Sequence, residues 1–94
     1  MAITEHIFAE DAYLRACEAC VTRSASGAIQ FDRTVFYPAG GGQPGDSGVV
    51  KLTGGATIQI LNTVKGEGAG EIIHIVPDDE AILAIGTPVT LEID

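Results

Sequence analysis

Tryptophan is absent from the 94 residues, and the aromatic share is only 5%. A core built mainly on aromatic rings is thereby excluded. Hydrophobic residues still make up 46% of the chain, so the core falls to Ile, Val, Leu and Ala. Positive charge is equally scarce. Arg15, Arg23, Arg33, Lys51 and Lys65 are the five cations, and they are scattered rather than clustered. The net charge is -8 and the pI about 4.4. Such a surface excludes tight nucleic-acid binding by electrostatics alone, because Lys and Arg supply most phosphate affinity. No apolar run approaches the roughly 20 residues that a membrane-spanning helix needs. The start, Met1 to His6, lacks a basic region followed by an apolar stretch, so no secretory leader is expected. The expectation is a cytoplasmic protein with no membrane partner.

Metal ligands are few as well. His6 and His74 are the only histidines, far apart in sequence, and Cys17 and Cys20 the only cysteines. A tetrahedral zinc site usually draws on closely spaced ligand pairs. Cys17-Glu18-Ala19-Cys20 has the C-x-x-C form, but a second pair is missing. On a strand that spacing puts the two thiols on opposite faces, so the expectation is free, buried cysteines in a reducing compartment. His74 lies in a strand pattern and is expected to be structural or exposed. No metal ligand and no catalytic residue is assigned to this chain. Gly66-Glu67-Gly68-Ala69-Gly70 lies between strand-like segments beside acidic residues, which fits a hairpin loop rather than a phosphate loop. Asp78, Asp79 and Glu80 read as solvated charge in a turn.

What the chain has in abundance is punctuation. Twelve glycines and four prolines interrupt it at short intervals. Frequent breaks between short apolar runs predict short strands. Six are predicted: 17–23, 28–32, 49–52, 57–63, 71–76 and 89–93. Along 28–32, Ile29 and Phe31 alternate with Gln30 and Asp32, the pattern of a half-buried strand. Residues 10–16 are expected to form about two helical turns that bury Tyr13 and Leu14, and 80–85 is left as strand-free, with at most one helical turn. Little helix and six strands predict a mostly β fold, a small antiparallel barrel or sandwich. The length allows one domain, 1–94, whose small size favours support from a second domain or partner chain.

The run from Asp32 to Gly48 stands apart. Gly40-Gly41-Gly42 follows Tyr37-Pro38-Ala39, and Pro44 follows Gln43. Three consecutive glycines cost backbone entropy on folding, and are explained where φ must be positive or where the backbone must approach another group closely. Prolines on both sides suggest a mobile element between rigid flanks. The run is no phosphate loop: it lacks a Gly-Lys-Ser/Thr ending and no helix pattern follows.

The stretch Thr34-Val35-Phe36-Tyr37-Pro38-Ala39-Gly40-Gly41-Gly42-Gln43-Pro44-Gly45-Asp46-Ser47-Gly48 closely resembles the glycine-rich motif of alanyl-tRNA synthetase editing domains and of free-standing AlaX-type editing proteins. Asp11 to Arg15, Glu71 to Val76 and Gly86 to Asp94 are similar to further segments of that family, with Ala39 replacing a common Glu. The resemblance implies an N-terminal β-barrel that packs against a zinc-bearing catalytic domain. The pair would hydrolyse mischarged alanine tRNA, chiefly seryl-tRNA. It implies a substrate-binding wall made of Thr34, Gly40, Gly41, Gly42 and Gln43, with Thr34 sensing the serine hydroxyl. In the family, Zn²⁺ is held by a His-x-x-x-His pair and a Cys-x-x-x-His pair, the first beginning shortly after the position of Asp94. The chain is therefore expected to carry no cofactor itself and to be inactive alone. Its implied partners are aminoacyl-tRNA in the complete protein, with weak or no tRNA binding alone, and a docked zinc domain or a second copy. The alternative is a short non-catalytic interaction module derived from that family.

Overall fold

Alternation of apolar and polar side chains builds the architecture. The computed structural model describes residues 4–10, 13–68, 70–79 and 82–94. Among them are nine strands and one helix of a single turn: β1 (Glu5–His6), α1 (Ile7–Glu10), β2 (Ala16–Ala25), β3 (Ala28–Phe31), β4 (Arg33–Thr34), β5 (Gly48–Leu52), β6 (Thr57–Ile60), β7 (Asn62–Lys65), β8 (Ile72–Ile75) and β9 (Pro88–Ile93). The fold is mostly β, as the sequence predicts. Seven strands form one antiparallel sheet in the order β6-β5-β9-β2-β3-β8-β7, and β1 pairs in parallel with β4.

Two features bend this sheet. The first half of β2 pairs with β9, Ala16 opposite Glu92 through Cys20 opposite Pro88. Its second half pairs with β3, after a register shift between Val21 and Arg23. A bulge of this kind increases twist and turns a strand. The predicted strand 57–63 is split at Leu61 into β6 and β7, which take the two opposite edges of the sheet. The Leu61 amide donates to the Ile75 carbonyl at 2.7 Å. The edges are thus joined through one residue of chain, while no ladder pairs β6 with β7, and the sheet is not closed by hydrogen bonds.

The helical expectation for 10–16 is corrected. Residues 11 and 12 lie outside the described residues, the single helical turn comes earlier, and β2 already begins at Ala16. Tyr13 is 93% exposed and Leu14 44%, so neither is buried. The Ile93 amide donates to the Arg15 carbonyl, which commits this backbone to the β9 ladder. A helix this short is marginal on its own, so sheet pairing wins. At 80–85, residues 80 and 81 lie outside the described residues, and 82–85 are not helical.

The core is largely aliphatic: Ile29, Ile60, Val21, Val50 and Leu91 are among its fully buried members. Its centre is nevertheless aromatic, because Phe31 and Phe36 are both completely buried. Inward alternation holds along β9, where Val89 and Leu91 are buried. On β3 the far-face Gln30 is buried along with Ile29 and Phe31, since Arg23 and the β7–β8 loop border that face.

Candidate functional site

Strands β1 and β4 place His6 opposite Thr34. From Thr34 the chain enters the glycine-rich run, which forms a loop with a tied neck. The Tyr37 amide donates to Asp46 Oδ2 and the Asp46 amide to the Tyr37 carbonyl, both at 2.9 Å. β7 supports the loop from below. The Ala39 amide donates to the Thr63 carbonyl at 2.7 Å, and the Gly45 amide to Asn62 Oδ1 at 2.8 Å. Thr63 Oγ1 donates to the Asp46 carbonyl at 2.8 Å. At the tip, Gly40 and Gln43 exchange backbone hydrogen bonds of 3.2 and 2.9 Å. The two residues between them, Gly41 and Gly42, have φ of 57° and 82°. Positive φ at both central positions is the requirement of the tight turn that matches strand twist, and it selects glycine.

A cleft of about 640 Å³ lies beside this loop. His6 and Phe8 border it, together with the 37–40 run and the loop between β7 and β8. Its aromatic side is continuous. The rings of His6 and Phe8 stack at 4.9 Å, and Phe8 meets Tyr37 edge-on at 5.0 Å. His6 Nε2 is 3.0 Å from the Gly70 carbonyl, to which it donates, so the ring is tied to the opposite loop.

Of the five residues the sequence assigns to substrate, Gly40 borders the cleft. Gly41, Gly42 and Gln43 form the exposed tip beyond it. Thr34 is not brought to the same surface: it is completely buried. Its Oγ1 accepts from the Phe36 amide at 3.0 Å and lies 2.8 Å from His74 Nε2. His74 Nδ1 is 3.1 Å from the Ile29 carbonyl. A carbonyl only accepts, so Nδ1 carries the proton, Nε2 is the acceptor, and the Thr34 hydroxyl donates to it. The ring sits edge-on between Phe31 and Phe36, at 4.8 and 5.5 Å. Burial pushes the His74 pKa down to about 4, against a smaller opposing effect of the Ile29 carbonyl. The imidazole is therefore neutral at pH 7 and serves as a core hydrogen-bond relay.

The zinc ion implied by the resemblance does not fit these side chains. Both His74 nitrogens are engaged, His6 is tied to Gly70, and among the described residues no three His, Cys, Asp or Glu side chains converge. Cys17 packs against the core and its neighbour in the motif, Cys20, is half-buried; both are free thiols. Burial raises the Cys17 pKa, outweighing the Val35 backbone hydrogen bond and the Arg33 charge. Because the thiolate is the reactive form, Cys17 is expected to alkylate with iodoacetamide several-fold more slowly than a free cysteine at pH 8. Mass mapping of the modified peptide gives the rate, and reaction at the free rate would contradict its burial.

The sequence reading did not single out His6, Phe8, Tyr37 or Lys65 as site residues. Only Tyr37 carried a signal, by lying inside the distinctive run; the others meet it through β1–β4 pairing and the β7–β8 loop.

Comparisons with known proteins agree with one another. The family described as tRNA synthetases class II (A) matches residues 5–94. The alanyl-tRNA editing protein AlaX-M of Pyrococcus horikoshii is 36% identical over 92 residues, 98% of this chain and 39% of that protein. An alanine–tRNA ligase of Pyrobaculum arsenaticum is 41% identical over 88 residues, 88% of this chain and 9% of the ligase. AlaX-L of Pyrococcus horikoshii is 40% identical over 77 residues, 78% of this chain and 18% of that protein. The chain thus spans well under half the length of each of these relatives.

Proposed function

The chain belongs to the class II (A) tRNA synthetase family, and from that premise we propose that it forms the glycine-rich wall of an alanyl-tRNA editing site. The complete protein hydrolyses the ester of alanine tRNA charged with the wrong amino acid, chiefly serine. The observation that carries this reading is the cleft beside the motif, with Gly40 on its border and the turn tip open to solvent. The printed names of the relatives point the same way.

The residues divide the work. Gly40 offers a bare backbone wall, since a Cβ built there would meet nothing within 4 Å. Gly41, Gly42 and Gln43 present the tip to the rest of the site. Thr34 acts as a positioning residue: with its hydroxyl between His74 and the Phe36 amide, it holds the start of the wall in place. Zinc chemistry, where the complete protein uses it, comes from residues other than these. Aminoacyl-tRNA is the partner of the complete protein, and a zinc-bearing domain docks against the cleft. With a charge of -8, these residues alone bind tRNA weakly at most.

A Gly40→Ala variant tests the wall. Its φ is not positive and its Cβ position is open, so the melting temperature should be unchanged. In the complete protein, seryl-tRNA deacylation should fall about tenfold in kcat/KM, a loss of roughly 1.4 kcal/mol in transition-state binding. Full activity in that variant would sink the assignment. The 94 residues alone should release no serine from the tRNA, with or without added zinc, and turnover by them would refute the division of labour.

A further inference from the structure

A second recess lies on the far side of the β7–β8 hairpin from the cleft. Ile72 borders the cleft and Ile73 the recess, because successive residues of a strand point to opposite faces. The recess, about 510 Å³, is a hollow in the outer face of β2, β3 and β8. Ala25 and Ala28 are opposite one another in the β2–β3 ladder, and their short side chains leave the depression. Two residues along the same ladder, Arg23 is opposite Gln30. Gln30 is only 6% exposed, yet its Oε1 has no hydrogen-bond partner among the described residues. Buried polar atoms are paired as a rule, so this acceptor lacks a donor that the fold does not supply. Glu71, on the other side, is folded against its own loop. Cβ atoms at Gly66 and Gly68 would lie 2.5 and 2.6 Å from its carboxylate oxygens, so glycine at both positions gives the carboxylate its place. Arg23 and Glu71 border the same recess and form no ion pair among the described residues.

We propose that this recess binds a free α-amino acid with a short apolar side chain, at a site separate from the cleft. Opposite charges that flank a hollow without meeting suit a ligand that carries both. The ligand carboxylate meets Arg23, whose planar fork matches that group. The ligand ammonium has three protons to donate, and it donates to Glu71 and to the unpartnered Gln30 Oε1. An amine alone would leave Arg23 unanswered, and a carboxylate alone would face Glu67 and Glu71. Ala25, Ala28 and Ile73 offer apolar surface to the side chain. The volume falls in the range of small-molecule sites. The inference goes beyond the editing reading and does not depend on it. The two hollows nevertheless touch through the hairpin, since Glu67, Gly68 and Glu71 border both. An amino acid held in the recess therefore sits against one wall of the cleft.

The test is a titration of the 94-residue chain with L-valine, followed by NMR. Parallel arms use isobutylamine, which lacks the carboxylate, and 3-methylbutanoate, which lacks the ammonium. Saturable shifts at residues 23, 28, 30 and 73 are expected for valine, with a Kd of about 1 mM or tighter. Each single-charge analogue should bind at least about tenfold more weakly, having lost one charge-assisted contact. Arg23→Ala should lose about tenfold or more in affinity at an unchanged melting temperature, because Arg23 is exposed and makes no ion pair among the described residues. Gln30→Leu should weaken binding by about the same factor while melting at the same temperature or higher, since it removes an unsatisfied acceptor and keeps the volume. A purely structural Gln30 would leave the affinity untouched. Equal binding of either analogue overturns the proposal, as does full affinity in Arg23→Ala or Gln30→Leu, or no saturable shift at tens of millimolar valine. None of these measurements involves tRNA, zinc or an ester, so the Gly40→Ala result stands or falls on its own.

Discussion

Gly45→Ala is expected to destabilise the chain by about 3 kcal/mol or more, the upper end of what overpacking costs. A Cβ at this position would lie 2.0 Å from the Thr63 carbonyl oxygen and 2.9 Å from the Ala39 amide nitrogen. Both are backbone atoms of elements already hydrogen-bonded to each other, so neither moves without breaking the loop neck. Gly48 is equally closed, with the Glu92 carbonyl oxygen 2.1 Å from the Cβ position and Phe36 below. A domain of this size has about 5–15 kcal/mol of stability in total. The loss should lower Tm by roughly 10–20 °C. Gly54→Ala is the matched control, since its φ is ordinary and its Cβ position is open. Thermal melts of the two variants decide the matter: Gly45→Ala melting within two or three degrees of the control would show that the neck yields.

The second large effect follows from His74. Its folded pKa is about 4, against 6.5 for a free imidazole. Between these values the unfolded chain binds a proton that the folded chain does not, so stability rises with pH across the window. The contribution is complete above pH 6.5 and is lost as pH falls toward 4, amounting to about 3 kcal/mol. Roughly 2 kcal/mol of it should be gone at pH 5. The physical cause is a ring enclosed by Phe31 and Phe36, where charge has no water. His74→Gln keeps a donor and an acceptor but does not titrate. That variant should cost about 1–2 kcal/mol at pH 7 through imperfect hydrogen bonds. Below pH 6.5 its urea midpoint should decline less than that of the parent chain. Parallel declines in the two proteins would rule out His74 as the titrating group.

Neither effect could be read from composition. Gly45 and Gly48 look like two more turn glycines in a glycine-rich run, while the triplet Gly40–Gly42 draws the eye. In the structure the triplet makes a turn in open space, and the later pair allows backbones to touch. Close approach of this kind depends on what lies opposite, and Thr63 and Glu92 are 18 and 44 residues further along the chain.

Much of the fold was nevertheless set locally. Turn glycines and alternation placed all six predicted strands within a few residues, because side-chain period and chain breaks are properties of neighbouring residues. The same physics made the class mostly β, and the family resemblance was carried by the unbroken run from Thr34 to Gly48. The sequence could not say that the strand 57–63 serves both edges of the sheet. Nor did it show that Tyr13 and Leu14 stay exposed, or that Thr34 donates into the core. Those outcomes depend on partners brought in by pairing: β9 takes up Ala16 to Cys20, and β8 carries His74 to within 2.8 Å of Thr34 across 40 residues of chain. The cleft belongs to the same class of result. His6, Phe8, Tyr37 and Lys65 come from three separate stretches of sequence, and only the β1–β4 pairing and the β7–β8 loop make them neighbours.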